Sequence, residues 1–352
     1  MSRLSTGRQD LPDPILLMEV CGTHTTAIFR AGIRELLPKN VNLISGPGCP
    51  VCVTPNEYMD KAIAYARHPG IIITTFGDMY RVPGSSSSLE KEKLNNTDVR
   101  IIYSPQETLD ISKANPDKKV IFLSVGFETT TPTIAVTLFE AKRQKLKNWF
   151  IFAGNKLIPP AMKILVNSEN SLNIDGFICP GHVSAIIGAK PYEFIAKKHK
   201  IPCVITGFEP VDILEGIYML LKQVKERRSE VEIQYRRAVR PEGNPKAVKI
   251  MYNVFEITGS NWRGIGNIPD SGLKVKEEYG NFDIERNLQV TVERAKEPKG
   301  CICGEILCGR KIPTDCSLFG KKCTPENPVG ACMVSSEGTC AAYYKYSQGE
   351  GD

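Results

Sequence analysis

The stretch Gly46-Pro47-Gly48-Cys49-Pro50-Val51-Cys52 follows an apolar run, residues 41–44, that is typical of a β-strand. Proline stiffens this dithiol turn (residues 46–52), glycine permits its tight path, and the turn carries two thiols. The next segment, Thr54-Pro55-Asn56-Glu57, predicts a helix start, with the threonine as N-cap, the proline at the first helical position and the glutamate completing a capping box. Because a helix N-terminus favours thiolate over thiol, we expect the pair to be reactive or metal-binding.

The same order of strand, glycine-containing turn and helix recurs through the first 230 residues. The strands are expected at 15–20, 71–75, 120–125, 176–179 and 202–206, and a helix at 25–36 follows the first of them. Strands that alternate with helices indicate a parallel sheet with helices on both faces, and the ligand site of such a sheet lies beyond the carboxyl ends of its strands. The motifs that follow the strands are therefore candidates for one shared site.

The fold class that this pattern predicts is α/β, with two parallel-sheet units and a cysteine-rich part. We assign residues 1–117 to the first unit, which carries Cys21 and the dithiol turn, and residues 118–230 to the second. Beyond residue 230, short mixed segments predict a cap or a return strand on one of the sheets. Seven of the 12 cysteines lie between Cys301 and Cys340, so residues 231–352 are assigned to this return segment and a separate cysteine module (residues 301–340).

Composition excludes several classes of protein. With 41% hydrophobic and 24% charged residues, the chain is ordinary globular protein, and its apolar runs are far shorter than the roughly 18 residues of a membrane helix. Residues 1–14 mix arginine with aspartate and lack the apolar core of a secretory signal. The net charge of +6 is scattered, so nucleic-acid binding is not expected. We expect a cytoplasmic protein whose cysteines are ligands or redox groups.

Four cysteines of the module, Cys301, Cys316, Cys323 and Cys340, are separated by 14, 6 and 16 residues. Such wide spacing suits loops that wrap a buried cofactor, and a 4Fe-4S cluster needs four thiolates. A structural zinc site more often shows two close Cys-x2-Cys pairs, but zinc, disulfides and free thiols remain alternatives. Cys303, Cys308 and Cys332 are left over, and Cys303 with Cys332 would make an auxiliary redox pair.

The other motifs are ambiguous on spacing alone. Cys49 and Cys52 are equally a thioredoxin-like redox centre, half a zinc site or an iron site. Cys21 with His24 is consistent with a nucleophile, a metal ligand or a buried small side chain. His182 also suits a hydrogen-bonded histidine at a helix start, and Glu128 a charge that complements a helix dipole. All four motifs nevertheless fall at expected strand ends.

Taken together, these blocks resemble the HypD family of hydrogenase maturation proteins, which take part in building the iron centre of nickel-iron hydrogenases. The resemblance covers nearly the whole chain and rests on five blocks in order: Met18-Glu19-Val20-Cys21-Gly22-Thr23-His24, the dithiol turn, Gly126-Phe127-Glu128-Thr129-Thr130, Pro180-Gly181-His182-Val183-Ser184 and the 14-6-16 cysteine spacing. One departure is Thr26, which stands where many members carry a second histidine.

The resemblance implies two Rossmann-like α/β domains plus a C-terminal 4Fe-4S domain. It also implies a monomer within a complex with the small chaperone HypC, on which an iron receives two cyanides and one carbon monoxide. The cyanide arrives from the carrier protein HypE. Such a protein is an assembly scaffold with redox-active groups rather than a turnover enzyme.

Carried over by residue, the resemblance makes Cys21 the ligand that shares the iron with a HypC cysteine. It makes Cys49 and Cys52 a redox-active pair or further iron contacts. The cluster ligands would be Cys301, Cys316, Cys323 and Cys340.

The remaining motif residues receive less specific roles. His24 would orient Cys21 or relay a proton, and Glu128, Thr129, Thr130 and His182 would line the cleft where cyanide is delivered. Soft thiolates suit low-spin iron that carries cyanide and carbon monoxide.

Two rival functions use the same residues. A freestanding 4Fe-4S-dependent thiol-disulfide oxidoreductase would pass electrons from the cluster to Cys49 and Cys52 and then to a client protein. An iron-carrying scaffold would keep the cluster only for structure. The oxidoreductase leaves Cys21-Gly22-Thr23-His24 without a role.

Overall fold

A computed structural model describes residues 13–167, 172–292 and 294–346. Eleven strands lie in these ranges: β1 (Ile15–Glu19), β2 (Val41–Ser45), β3 (Ile71–Thr75), β4 (Asp98–Ile101), β5 (Lys119–Ser124), β6 (Trp149–Ala153), β7 (Gly176–Pro180), β8 (Cys203–Thr206), β9 (Val231–Ile233), β10 (Phe255–Trp262) and β11 (Gly266–Val275). The expectation that residues 1–14 form no secretory signal concerns mostly residues 1–12, which lie outside the described residues.

The α-helices of the same ranges are α1 (Gly22–Arg30), α2 (Ile33–Leu36), α3 (Asn56–Arg67), α4 (Gly77–Tyr80), α5 (Leu89–Leu94), α6 (Glu107–Ala114), α7 (Thr131–Arg143), α8 (Ile158–Asn167), α9 (Gly181–Ile187), α10 (Pro210–Lys225), α11 (Pro245–Val254), α12 (Ile284–Asn287), α13 (Cys303–Leu307), α14 (Ala331–Val334) and α15 (Thr339–Tyr346). Short 3-10 turns occur at Lys190–Tyr192, Glu277–Phe282 and Pro313–Asp315, and a π-helical turn at Ile195–His199. Within the described ranges, none of the helices combines the length and the apolar character that crossing a bilayer requires.

Two parallel sheets form the body of the protein, so the α/β fold class with two Rossmann-like units is confirmed. Sheet A has the strand order β2-β1-β7-β8-β9, and sheet B has the order β4-β3-β5-β6. Every neighbouring pair within them is parallel. Counted along each sheet, both begin 2-1-3-4, which is the flavodoxin-like order. The order reverses between β1 and β7 in sheet A and between β3 and β5 in sheet B, and ligands bind at such switch points.

The sheets do not follow the expected boundary between residues 117 and 118. Strand β5 pairs with β3 across that boundary, and β7 returns to pair with β1, so sheet B is inserted into sheet A. The contiguous units 1–117 and 118–230 therefore do not each hold one sheet. The alternation of strands and helices cannot reveal this, because a parallel crossover can be of almost any length.

Some local boundaries also differ from the expectation. Helix α3 begins at Asn56 with Pro55 as its N-cap and no side-chain cap, and the Thr54 hydroxyl instead donates to Pro50 O at 2.8 Å. The predicted capping box is therefore wrong. The helix expected at 25–36 is two helices, because the chain turns at Gly32 with φ 59°.

The segment beyond residue 230 returns to both sheets. Strand β9 adds to the edge of sheet A, in the part of the chain where we expect a cap or a return strand. Strands β10 and β11 form an antiparallel hairpin, and Leu157, just after β6, donates its N–H to Ser271 O of this hairpin at 2.9 Å. At the hairpin tip (residues 262–266), Trp262 stacks on Phe127 with ring centroids 5.9 Å apart. The hairpin thus covers the end of sheet B where β5 finishes.

Candidate functional site

Cys21 lies at the carboxyl end of β1, at the switch point of sheet A. It is the N-cap of α1, with an extended backbone, and its carbonyl accepts the N–H of Thr25 at 3.1 Å. Gly48 of the dithiol turn packs against it: the N–H of Gly22 donates to Gly48 O at 3.1 Å. A Cβ on Gly48 would overlap the Cys21 backbone nitrogen, so only glycine permits this approach. The structure therefore brings Cys21 and the dithiol turn together, as the sequence predicts.

The Cys21 thiol is strongly shielded from water, with 8% of the residue exposed. Burial, followed by the negative charge of Glu337, raises the pKa of Cys21 to about 11. Hydrogen bonding at the start of α1 lowers this pKa, but by less than burial raises it. A soft metal that binds Cys21 must therefore displace the thiol proton, and this couples binding to proton release.

His24 is fully buried on the first turn of α1. Its Nε2 lies 2.9 Å from Gly207 O and 2.9 Å from the Thr206 hydroxyl oxygen. Because a carbonyl oxygen can only accept, we assign the ring proton to Nε2, which leaves Nδ1 as a bare acceptor. Among the described residues, Nδ1 has no hydrogen-bond partner. Burial lowers the pKa of His24 to about 4, so the ring is neutral at neutral pH.

Phe208 stands between two histidine rings. Its ring centroid lies 4.5 Å from that of His24 and 3.9 Å from that of His182, with both pairs nearly parallel. His182 opens α9 at the carboxyl end of β7, and burial lowers its pKa. Three of the sequence-predicted residues, Cys21, His24 and His182, therefore meet at one switch point.

Glu337 reaches this switch point from the C-terminal part of the chain. Its carboxylate accepts the Thr23 hydroxyl at 2.5 Å, and a Cβ on Gly22 would meet its backbone. The carbonyl of Ser336 accepts the hydroxyl of Thr26, the residue that stands where many family members carry histidine, at 3.0 Å. Helix α1 is therefore held by the segment that joins α14 to α15. Helix α15 carries Cys340.

Cys49 and Cys52 are both buried and are bonded to each other as a disulfide, with their Cα atoms 5.3 Å apart. Since α3 begins only at Asn56, the pair lies before its first turn. The field of a helix terminus falls off within one turn. The expectation that the start of α3 favours a thiolate at this pair is therefore wrong.

Six of the seven module cysteines line one small apolar cavity. They are Cys301, Cys303, Cys316, Cys323, Cys332 and Cys340, and their neighbours include Ile306, Leu318, Phe319 and Met333. Thiols in an apolar, water-excluding shell are the donor set that iron–sulfur clusters take, one cysteine to each iron, so the residues fit the predicted 4Fe-4S group. Within the described ranges, no three His, Cys, Asp or Glu side chains converge on a single metal ion, which a cluster with one cysteine to each iron does not require.

Cys303 and Cys332 lie beside the four predicted cluster ligands. Their sulfurs are 2.8 Å apart and both residues are buried, so the structure brings this pair together as the sequence suggested. Hydrogen bonds from Cys301 and Cys332, joined by the positive charge of Arg263, hold the pKa of Cys303 well below its usual range. The redox role of the pair remains a prediction.

Glu128 occupies the other switch point, at the carboxyl end of β5 in sheet B. Its carboxylate accepts the N–H of Ile158, at the start of α8, at 3.1 and 3.3 Å. Burial raises its pKa to about 8, so it is mostly protonated at neutral pH. The neighbouring Thr130 hydroxyl donates to Phe127 O at 3.3 Å, while Thr129 is exposed. The predicted single site is therefore spread over two switch points.

The hairpin tip connects these two regions. Phe127, which precedes Glu128, stacks on Trp262, and the N–H of the next residue, Arg263, donates to Val53 O at 2.9 Å. Sequence reasoning missed both Arg263 and Glu337. Glu337 is the only acidic residue between Cys332 and Cys340, but nothing local indicates that it reaches a helix more than 300 residues earlier.

Comparison with known proteins shows the family of this chain. A family model described as "HypD: Hydrogenase formation hypA family" matches residues 2–347. The chain is 48% identical over 334 residues to a putative hydrogenase expression/formation protein of Methanocaldococcus jannaschii. The aligned residues make up 95% of this chain and 92% of that protein.

Two bacterial proteins are similar to nearly the same extent. The hydrogenase maturation factor HypD of Azotobacter vinelandii is 48% identical over 338 residues, 94% of this chain and 89% of its own length. That of Escherichia coli is 44% identical over 340 residues, 96% and 91% respectively. These similarities extend over both sheets and the cysteine module.

Proposed function

The chain belongs to the HypD family of hydrogenase maturation factors, and from that membership we propose that it is the scaffold on which the Fe(CN)2CO centre of a nickel-iron hydrogenase is assembled. The observation that carries this proposal is the arrangement around Cys21. A thiol, a neutral imidazole with a free nitrogen and a dithiol turn meet at the switch point of a parallel sheet, where such folds bind ligands.

In this proposal the iron is cargo that Cys21 holds. Soft thiolate is a suitable donor for low-spin iron that carries strong-field ligands. The pKa of about 11 keeps the free thiol protonated, so binding of iron must release a proton. His24 is placed one turn along the same helix, and its free Nδ1 is an acceptor that can take a hydrogen bond or relay a proton.

Cys301, Cys316, Cys323 and Cys340 would hold the resident 4Fe-4S cluster in the apolar cavity of the cysteine module. When bound, such a cluster stores and transfers single electrons. The chain's own contribution is to exclude water from the four thiolates and to place the Cys303 and Cys332 thiols beside them. The disulfide of the dithiol turn would be their acceptor, and it would take up two such electrons and two protons in successive steps to give the two thiols.

The partners in this proposal are a HypC chaperone, which shares the iron through its own cysteine, and a HypE carrier, which delivers cyanide transiently. Thr129 and His182 are both exposed, and they lie at the two switch points from which delivery would be received. We place the chain in the cytoplasm, where a reducing environment keeps such thiols available.

A second candidate function is a 4Fe-4S-dependent thiol-disulfide oxidoreductase, and the disulfide between Cys49 and Cys52 favours it. The two candidates differ at Cys21. The oxidoreductase needs no ligand there, whereas the scaffold cannot hold iron without one.

Infrared spectroscopy of the protein purified anaerobically with its HypC partner tests the scaffold. Cyanide and carbonyl stretches fall where proteins are otherwise transparent, so we expect bands of both kinds in the complex. A complex that carries the cluster, reduces its dithiol and yet shows no such bands after maturation in cells would contradict the scaffold and favour the oxidoreductase.

A further inference from the structure

The hairpin tip contacts the segment after the dithiol turn on one side and the cysteine module on the other. On one side, Arg263 is hydrogen-bonded to the segment that follows the dithiol turn. Its backbone N–H donates to Val53 O and its Nε to Thr54 O, each at 2.9 Å. Its second guanidinium nitrogen donates to the Asn56 side-chain oxygen at the start of α3. Three donors from one residue thus fix the chain between the disulfide and the helix that follows.

On the other side, Gly264 packs directly on Gly304, the residue after Cys303 in α13. A Cβ on either glycine would overlap the backbone of the other, so the two chains meet main chain to main chain. Gly264 also has φ +70°, a conformation that favours glycine. Arg263 is therefore wedged between the dithiol turn and the helix of the cysteine module.

The guanidinium of Arg263 is buried, with 2% of the residue exposed. Its acceptors are a backbone carbonyl and an amide oxygen, which are both neutral. Among the described residues, no acidic side chain forms an ion pair with it. A buried charge whose hydrogen-bond acceptors are all neutral is costly, so its presence here points to negative charge on the module thiols or on a group that they hold.

We propose that Arg263 is a positioning residue of the redox path, which seats the dithiol turn on the cysteine module and whose buried positive charge raises the reduction potential of the cluster. This inference rests on the cluster of the proposed function. When the cluster takes up one electron it becomes one unit more negative, and no proton is bound. A fixed positive charge beside the module stabilises the reduced form, because net charge and burial set the potential of iron–sulfur centres.

The test is an optical redox titration of the holoprotein with dithionite, which supplies the electron and is oxidised to sulfite. We expect Arg263→Gln to lower the equilibrium constant for one-electron reduction by about tenfold or more, which is about 59 mV. Arg263→Lys keeps the charge but loses the fork of donors, and its potential should stay close to that of the wild type. A Lys variant that falls as far as the Gln variant, or a Gln variant that does not fall, would overturn the inference.

A second variant guards against misfolding of Arg263→Gln. Asn56→Asp keeps the guanidinium and its position but places a carboxylate against it, which cancels the charge, so we expect the same direction of shift. An unchanged potential in Asn56→Asp would also overturn the inference. A wild-type protein that binds no cluster would refute the cluster of the proposed function itself, which separates the two failures.

A glycine pair tests the seating. Gly264→Ala and Gly266→Ala both introduce a side chain at positive φ in the same hairpin tip, but only Gly264 contacts another chain segment. We expect only Gly264→Ala to lower the cluster potential and to expose the dithiol to alkylation after reduction. Equal effects of the two substitutions would show that the contact with Gly304 does not matter.

Discussion

The thiol of Cys21 and the thiols of the cysteine module lie in opposite surroundings. Cys21 is a single thiol at a sheet switch point, surrounded by backbone and by Glu337, and burial raises its pKa. In the module, six thiols share one apolar cavity, and the pKa of Cys303 falls because neighbouring thiols donate hydrogen bonds to it. A lone buried thiol stays protonated until a metal takes it. Among the packed thiols, hydrogen bonding lowers the pKa of Cys303 and raises the pKa of its partners Cys301 and Cys332, so one thiolate is favoured at the expense of its neighbours.

This difference predicts that the two centres can be emptied separately. Although the segment before Cys340 clamps helix α1 through Glu337, the Cys21 sulfur is not among the atoms that line the module cavity. Removing either centre should therefore leave the other loaded.

The largest effect is expected from Cys21→Ala, which should abolish hydrogenase maturation and remove the cyanide and carbonyl infrared bands of the complex with HypC. The iron-sulfur absorption should remain, and stability should fall by only about 1 kcal/mol, because one sulfur leaves a small cavity. Cys203→Ala, which removes another buried thiol of sheet A from β8, is the matched control and should mature normally. A Cys21→Ala variant that keeps the bands would show that other residues hold the iron, and Cys49 and Cys52 would become the candidate ligands.

The reverse experiment is Cys316→Ala or Cys323→Ala, which should bleach the cluster because each removes one of four iron ligands. Anaerobically purified wild-type protein should hold about four irons with matching sulfide. Cys308→Ala is the control: Cys308 is a buried module cysteine that does not line the cavity, and its loss should spare the cluster. One zinc and no iron in the wild type would end the cluster proposal.

A smaller effect concerns the dithiol turn, which lies between the two centres. We expect the Cys49–Cys52 disulfide to open with mild reductant and to close again under mild oxidation, since the two sulfurs are held close by the turn. Differential thiol labelling read by mass spectrometry would follow both states. Full alkylation of both residues after oxidation would leave ligation as their only role.

The places of these groups along the chain followed from sequence, but their surroundings did not. Strand, glycine turn and helix put Cys21, His182 and Glu128 at strand ends, and all three lie there. Which strand pairs with which depends on long crossovers, so the insertion of sheet B into sheet A was hidden. The direction of the Cys21 pKa shift was hidden for the same reason, because burial and Glu337 come from residues far along the chain.

Glu128 extends the comparison to sheet B, because it too is a lone ionisable group buried at a switch point. The pKa of Glu128 in the folded protein is about 8, above the usual glutamate value of 4.5. The unfolded chain therefore loses this proton first. The contribution to stability is complete below about pH 4.5 and is lost as the pH rises toward 8, by at most about 1.4 kcal/mol per pH unit.

We expect Glu128→Gln, which mimics the protonated carboxyl, to flatten the pH dependence of the free energy of unfolding between pH 5 and pH 8 in urea titrations. Glu140→Gln is the matched control on the outer side of α7, where hydrogen bonds from Arg143 hold the pKa of Glu140 at about 2. That carboxylate is ionised in both states over this range, so its replacement should leave the slope unchanged. Parallel curves for wild type and Glu128→Gln would mean that Glu128 is ionised in the folded protein and that the N–H of Ile158 and the start of α8 stabilise its charge.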